Sequence, residues 1–273
     1  MHTLQKRTTG FTVIELLAVV VVLALVASAG LPALARTKAS VQRLNCTDNL
    51  KRISVAFQSW SSSHSELYPM RVSASNGGYA DLIGQRIVSQ TQSTARGVFG
   101  IFMVLSNELS SPHVLICPAE NEIRLAATTF ANTLPPGATN VVPFTNDLNT
   151  SYFVGVDTTP SSPAMFLSGD HNMGADWNLI PLRGFVTAPS SYAPDFKVML
   201  GTNFAANAGP GWLDTMHAKR GNVVLGDCSV QQLDRGHLQA LLQISGDPGA
   251  AANGPLFLHP TGCQGFSNRL QFP

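Results

Sequence analysis

Apolar residues are spread unevenly along this chain. From Leu16 to Ala35 there are 20 residues without a charge, LLAVVVVLALVASAGLPALA, and no comparable run follows. As a helix rising ~1.5 Å per residue, the run covers ~30 Å, one bilayer hydrocarbon thickness. The pattern then changes. Cys46, Leu50, Ile53, Phe57 and Trp60 are spaced 4, 3, 4 and 3, so they share one helical face. Asp48, Lys51, Arg52 and Gln58 lie off that stripe, and the polar run Ser61-Ser62-Ser63-His64-Ser65 ends it. This predicts one helix from about 12 to 62. Its first half would lie in a bilayer, and its second half would pack a head domain by the stripe.

Beyond residue 64 the pattern is shorter-ranged. GVFGIFMVLSNEL at 97–109 predicts a short helix through Phe99, Phe102, Leu105 and Leu109. β-type runs follow at His113–Ile116, Ser151–Val156, Met165–Leu167, Lys197–Leu200, Asn222–Leu225 and Ser229–Leu233, with Pro-, Gly- and Asn-rich connections. Gly226-Asp227-Cys228-Ser229 reads as a hairpin turn. A glycine there would supply positive φ; a cysteine is strained unless the turn type changes. RGHLQALLQI at 235–244 reads as helical with Asp234 as its cap, and the Gly-, Ala- and Pro-rich tail at 246–265 as irregular. The expected fold class is α+β: a long N-terminal helix, membrane-spanning in its first half, packed by its second half on a β-rich globular head.

Charge and composition narrow the function classes. Net charge is +1, so no basic surface argues for nucleic acid. The charged fraction, 12%, is low for a cytosolic enzyme, and Ser, Thr, Asn, Gly and Pro are abundant after residue 60, which fits an extracytoplasmic domain. The four cysteines, Cys46, Cys117, Cys228 and Cys263, show no CxxC and no zinc-type spacing with histidine. In an exported chain they allow two disulfides in three connectivities, against free buried thiols. Ser168-Gly169-Asp170-His171-Asn172 invites a hydrolase reading. It lacks the nucleophile elbow, and adjacent residues rarely converge as a triad does, so no enzyme is expected. Asp170, Asn172 and Asp176 are loop oxygen donors that could hold calcium, but the Gly and Glu of a twelve-residue calcium loop are missing. Ordinary turn chemistry accounts for them, and no cofactor is expected.

The N-terminus allows three readings. Lys6 and Arg7 precede the apolar run, which places the N-terminus in the cytoplasm and the residues after ~36 outside. A secretory signal peptide would be cut at Ala27-Ser28-Ala29, leaving Gly30 first. A plain single-pass anchor is the second reading. Glu15 speaks against both, because a carboxylate at mid-membrane costs about 2.5–3.5 kcal/mol, less near the interface. In the third reading the chain is cut after Gly10. Phe11 then carries a free amine about one helical turn from Glu15, and the two charges neutralise each other within or between chains.

Lys6-Arg7-Thr8-Thr9-Gly10-Phe11-Thr12-Val13-Ile14-Glu15-Leu16-Leu17 resembles the processing signature of type IV pilins and type II secretion pseudopilins, and Pro32 stands where that family commonly carries a helix-kinking proline. The resemblance implies cleavage after Gly10 by a prepilin peptidase, methylation of Phe11, and assembly with other pilin-like subunits through Glu15, Pro32 and the apolar helix. It implies a cleaved leader at 1–10, an assembly helix at 11–63 and a head at 64–273. It also implies a single-pass protein of the bacterial inner membrane with a periplasmic or extracellular head. Cys46-Thr47-Asp48-Asn49-Leu50-Lys51, Cys117-Pro118-Ala119-Glu120, Ser151-Tyr152 and His217 through Asp227 resemble segments of a pilin-like group of planctomycete and verrucomicrobial bacteria. The last is an H-x9-D-G motif with Cys228 in place of the glycine. A hairpin with a polar contact across it is the plainer account of His217 and Asp227. The rival class is a tethered or secreted binding domain that uses this N-terminus only for export.

Overall fold

A 50-residue helix, α1, runs from Val13 to Ser62 in the computed structural model of the chain. The structure describes residues 10, 12–83, 86–88, 93–95, 97–120, 124–131, 137, 139–175, 197–199, 210–245, 256–257 and 269–273. Two compact units are distinguished, residues 1–41 and 42–273, with the boundary inside α1.

In the first unit the apolar side chains from Val13 to Val26 are exposed, among them Val13, Leu17, Leu23 and Val26. The membrane part of the expected fold class is corrected here. Among the described residues, no helix is long and apolar enough to cross a membrane. The expected single-pass inner-membrane location, with its cytoplasmic N-terminus and outer head, is corrected by the same finding.

In the second unit, Cys46, Leu50, Ile53, Phe57 and Trp60 are all buried, as the 4-3-4-3 spacing requires. The opposite side carries an exposed Arg52–Asp48 pair at 2.9 Å. Past Trp60 the serine hydroxyls turn back on helix carbonyls, and Ser65 and Glu66 take left-handed φ of 56° and 54°, which stops the helix. The His64 ring stacks on Trp60 at 3.6 Å.

Eleven strands are described. β1 (Arg86–Val88) and β2 (Ser93–Ala95) pair with each other. β3 (Tyr152–Gly155), β4 (Phe166–Asp170), β6 (Lys197–Met199), β8 (Gly221–Leu225), β9 (Val230–Leu233), β10 (Leu256–Phe257) and β11 (Arg269–Gln271) form one antiparallel sheet in the order β10-β6-β11-β3-β4-β8-β9. β5 (Met173–Ala175) pairs with β7 (Pro210–Trp212). Both faces of the large sheet are covered. Alternation sends Tyr152 and Val154 toward the α1 stripe with Leu167 and Val224. It sends Phe153, Val223 and Leu225 to the other face, against Leu238 and Leu242 of a later helix (Arg235–Ser245). Asp234 caps that helix through the His237 amide, 2.9 Å away.

The 97–109 helix is split into α2 (Val98–Val104) and α3 (Ser106–Leu109), so the capped helix is α4. The strand expected at His113–Ile116 is instead a 3-10 turn, Pro112–Leu115. Pro112 presets its first residue, and the Ser111 hydroxyl accepts from the His113 amide at 3.4 Å.

A bulge interrupts the β4–β8 pairing between Phe166 and Ser168. Residues four apart in a strand share a face, so Asp170 would otherwise join Phe166 against α4. The extra residue shifts the phase and turns Asp170 toward α1, where it accepts from the Cys46 thiol at 3.0 Å.

Phe57 meets Tyr68 and Phe102 edge-on, with centroids 5.6 and 6.3 Å away. Phe57→Ala is expected to lower the unfolding free energy by about 3–5 kcal/mol in urea titrations. Val55→Ala, on the exposed side of the same turn, is expected to change it by no more than about 0.5 kcal/mol.

Candidate functional site

The expected site residues fall in two places. Gly10 is exposed, and a Cβ added there would meet no atom within 4 Å. Among the described residues, nothing in the packing therefore requires glycine at this position. Phe11 lies outside the described residues, and Pro32 stands inside α1.

Glu15 has a local partner. Its Oε2 accepts from the Thr12 amide at 2.8 Å and the Thr12 hydroxyl at 2.7 Å, while the Glu15 amide donates to Thr12 Oγ1 at 3.3 Å. This is a reciprocal capping box, with Thr12 as N-cap and Glu15 three residues on. The Thr12 amide, then its hydroxyl, holds the Glu15 carboxyl below the ordinary carboxylate range. Thr-x-x-Glu before an apolar run is a sequence signature of a helix start, and it gives Glu15 a reason to exist that needs no free amine.

The second place is a buried cluster in the unit 42–273. Cys46 comes from the α1 stripe, Cys117 from just beyond the 3-10 turn, Asp170 from the end of β4 and His217 from the loop between β7 and β8. Their ligand-type atoms all lie within 4.8 Å of one another. Cys46 Sγ is 3.0 Å from Asp170 Oδ1, Cys117 Sγ is 3.2 Å from His217 Nε2, and that nitrogen is 3.6 Å from Asp170 Oδ2. The side chains of Asp170 and His217 are 0% and 1% exposed.

Burial pushes the Cys46 thiol well up and raises the Asp170 carboxyl, with the opposing His217 charge and the Asn222 hydrogen bonds holding it back. Contact with Cys46 lowers the Cys117 thiol against its own burial, and His217 adds to the effect. Burial works against a charged His217, but Cys117 and Asp170 outweigh it and carry that histidine up. Burial lowers Arg43, with Arg220 adding to the drop, while the charges of Asp170 and Cys46 pull it back up. Arg43 Nε and one terminal nitrogen are buried without a hydrogen-bond partner among the described residues.

The outer contacts hold these four side chains in place. Asn222 donates to Asp170 Oδ2 from its amide at 2.7 Å and its side chain at 2.9 Å. Tyr152 Oη is 3.5 Å from Cys46 Sγ, and Asn49 donates to Tyr152 Oη at 3.4 Å and to the Ile116 carbonyl at 3.0 Å. The Ala119 amide donates to Cys117 Sγ at 3.4 Å. Glu120 accepts from Ser151 at 2.7 Å and faces His171 at 3.0 Å and Arg124 at 3.4 Å. The segments around Cys46, Cys117, Ser151-Tyr152 and His217, far apart in sequence, thus meet at one buried point.

His217 is delivered by an unusual backbone. His217, Ala218 and Lys219 take φ of 49°, 50° and 59°, three consecutive left-handed residues with a Cβ. Each costs roughly 1–2 kcal/mol. Asn172 holds the loop, its Nδ2 donating to the carbonyls of Leu213, Met216 and Arg220 at 3.1, 3.1 and 3.2 Å.

His217 and Asp227 are not brought together. Asp227 accepts from the Ser229 amide at 2.9 Å within its own turn, while His217 faces Cys117 and Asp170. Of the two forms open to this turn it takes the strained one: Cys228 has φ of 65°, its amide donates to the Leu225 carbonyl, and the Leu225 amide donates to the Ser229 carbonyl. Cys46, Cys117 and Cys228 are free thiols, and Cys263 lies outside the described residues. Of the proposed calcium donors, Asp170 belongs to the cluster, Asn172 clamps the loop and Asp176 lies outside the described residues. The cluster was not visible as spacing because its ligands come from four separate segments. The signals for it were the Cys-x-x-Asn-Leu-Lys, Cys-Pro and His motifs, taken together.

No protein-family model matches the chain, and neither the curated proteins nor the solved structures yield a match.

Removing the Asn172 amide would take away the two N–H donors shared among the Leu213, Met216 and Arg220 carbonyls. Asn172→Ala is expected to lower the unfolding free energy by about 1–3 kcal/mol in urea titrations. A change below about 0.5 kcal/mol, the scale of a neutral substitution, would mean that the loop is held by other contacts.

Proposed function

We propose that this chain is a prepilin-like structural subunit, cut after Gly10 by a prepilin-type peptidase, methylated on the new Phe11 amine and assembled through α1 into a filament. The observation that carries this reading is a capped helix, apolar and exposed from Val13 to Val26, that starts three residues after an exposed glycine. Exposed large side chains occur at Val19, Val20, Val21, Val22 and Leu23 without a break, so they point around the whole helix. A helix apolar on every side is stable only when it is covered on every side. Several copies of the same helix, packed side by side, provide that cover and repeat along an axis.

Gly10 fits the cleavage step. Among the described residues no atom would meet a Cβ at Gly10, so the lack of a side chain serves an outside agent that must approach the backbone closely. Cleavage there leaves Thr12 and Glu15 in place, so the helix keeps its cap while Glu15 gains an ammonium nearby.

Mass spectrometry of the mature chain is expected to find N-methylated Phe11 at its start. An end at Gly30 would replace this reading with signal peptidase export. Glu15→Gln separates the two duties of Glu15, since glutamine retains the capping acceptor and loses the charge. We expect normal cleavage and helicity with severalfold less filament incorporation. Equal incorporation would leave Glu15 with the cap alone.

A further inference from the structure

The geometry points to a closed zinc-class metal site, in which Cys46 Sγ, Cys117 Sγ, an Asp170 carboxylate oxygen and His217 Nε2 bind one divalent ion. A tetrahedral ion with bonds of ~2.0–2.3 Å has ligand–ligand edges of roughly 3.3–3.8 Å. The observed separations of 3.0, 3.2 and 3.6 Å, with every ligand atom within 4.8 Å of the others, are close to that figure. Two sulfurs and one imidazole suit zinc. Calcium and magnesium take oxygen.

Charge supports the same occupant. Two thiolates and a carboxylate bring −3 into a site whose carboxylate is fully buried. A divalent cation reduces this to −1, and Arg43, whose charge is felt by both Asp170 and Cys46, offsets the rest. The outer contacts are those a metal centre needs. Asn222 fixes one carboxylate oxygen with two hydrogen bonds and leaves the other facing Cys46, and the Ala119 amide points at the Cys117 sulfur. The three left-handed residues at 217–219 are backbone strain at the point where a ligand is presented. Four protein ligands leave no open position, so the ion would act as a structural clamp joining α1, the Cys117 segment, β4 and the His217 loop.

This inference does not depend on the filament reading, because metal content is measured on the full chain whether or not it assembles. The full chain, purified under reducing conditions and loaded with Zn²⁺, is expected to retain one zinc per chain by elemental mass spectrometry. Co²⁺ in its place should give the intense visible bands of a tetrahedral site and a thiolate-to-cobalt charge-transfer band. Cys117→Ser and His217→Ala should each weaken zinc binding by more than the ~10–100-fold that outer-shell changes cost, while Cys228→Ser should leave it unchanged. Because cluster variants can lose their fold, a second readout uses the unaltered chain. Chelation should lower its thermal midpoint and expose Cys46 and Cys117 to alkylation. Absence of retained zinc in the folded, reduced chain would overturn the proposal. So would a Cys46–Cys117 disulfide in a non-reducing peptide map of the chain from its native host, or zinc retained equally by the Cys117 and His217 variants.

Discussion

A fully buried carboxylate sets the terms for the rest of the second unit. Asp170 has no exposed surface, and a charge so placed costs several kcal/mol unless its neighbours compensate. The Asn222 amide and side chain, the Cys46 thiol and the His217 ring supply that compensation at 2.7, 2.9, 3.0 and 3.6 Å. Each partner fixes a different part of the fold. Asn222 needs the β4–β8 register, Cys46 needs α1 rotated with its stripe against the sheet, and His217 needs the left-handed loop. The bulge at Phe166–Ser168 is what aims Asp170 at all three.

The N-terminal carboxylate, Glu15, shows the opposite economy. It is exposed, and two contacts from Thr12 are enough to hold it. A charge that looks anomalous before an apolar run becomes ordinary once the helix start is taken into account. The cap and a charge pair with Phe11 are compatible duties, because the capping contacts involve the backbone amide and hydroxyl of Thr12.

Local periodicity carried much of the fold. The stripe from Cys46 to Trp60, the Asp234 cap and the hairpin around Asp227-Cys228 are short-range patterns, and each appears where the sequence places it. Pro112 misled the strand reading at 113–116, because a proline after serine starts a tight turn as readily as it edges a strand. The membrane reading is overturned, because among the described residues no helix is both long and apolar enough to cross a membrane. The buried cluster was the least legible feature. Its ligands are separated by 71, 53 and 47 residues (46 to 117, 117 to 170, 170 to 217), and only the folded sheet brings them together. The bulge is invisible to an alternation rule, and without it Asp170 is assigned to the wrong face.

Those separations also set an order of events during synthesis. Cys46 and the stripe emerge early, whereas Asp170 and His217 are made more than a hundred residues later. Closing such long loops is slow, because chain entropy is lost before any contact compensates for it. The stripe therefore waits with its apolar face uncovered while most of the head is still being translated. In that interval the chain is open to wrong partners, including other copies of itself. The polar side of α1, with Asp48, Lys51 and Arg52, helps keep the waiting helix in solution.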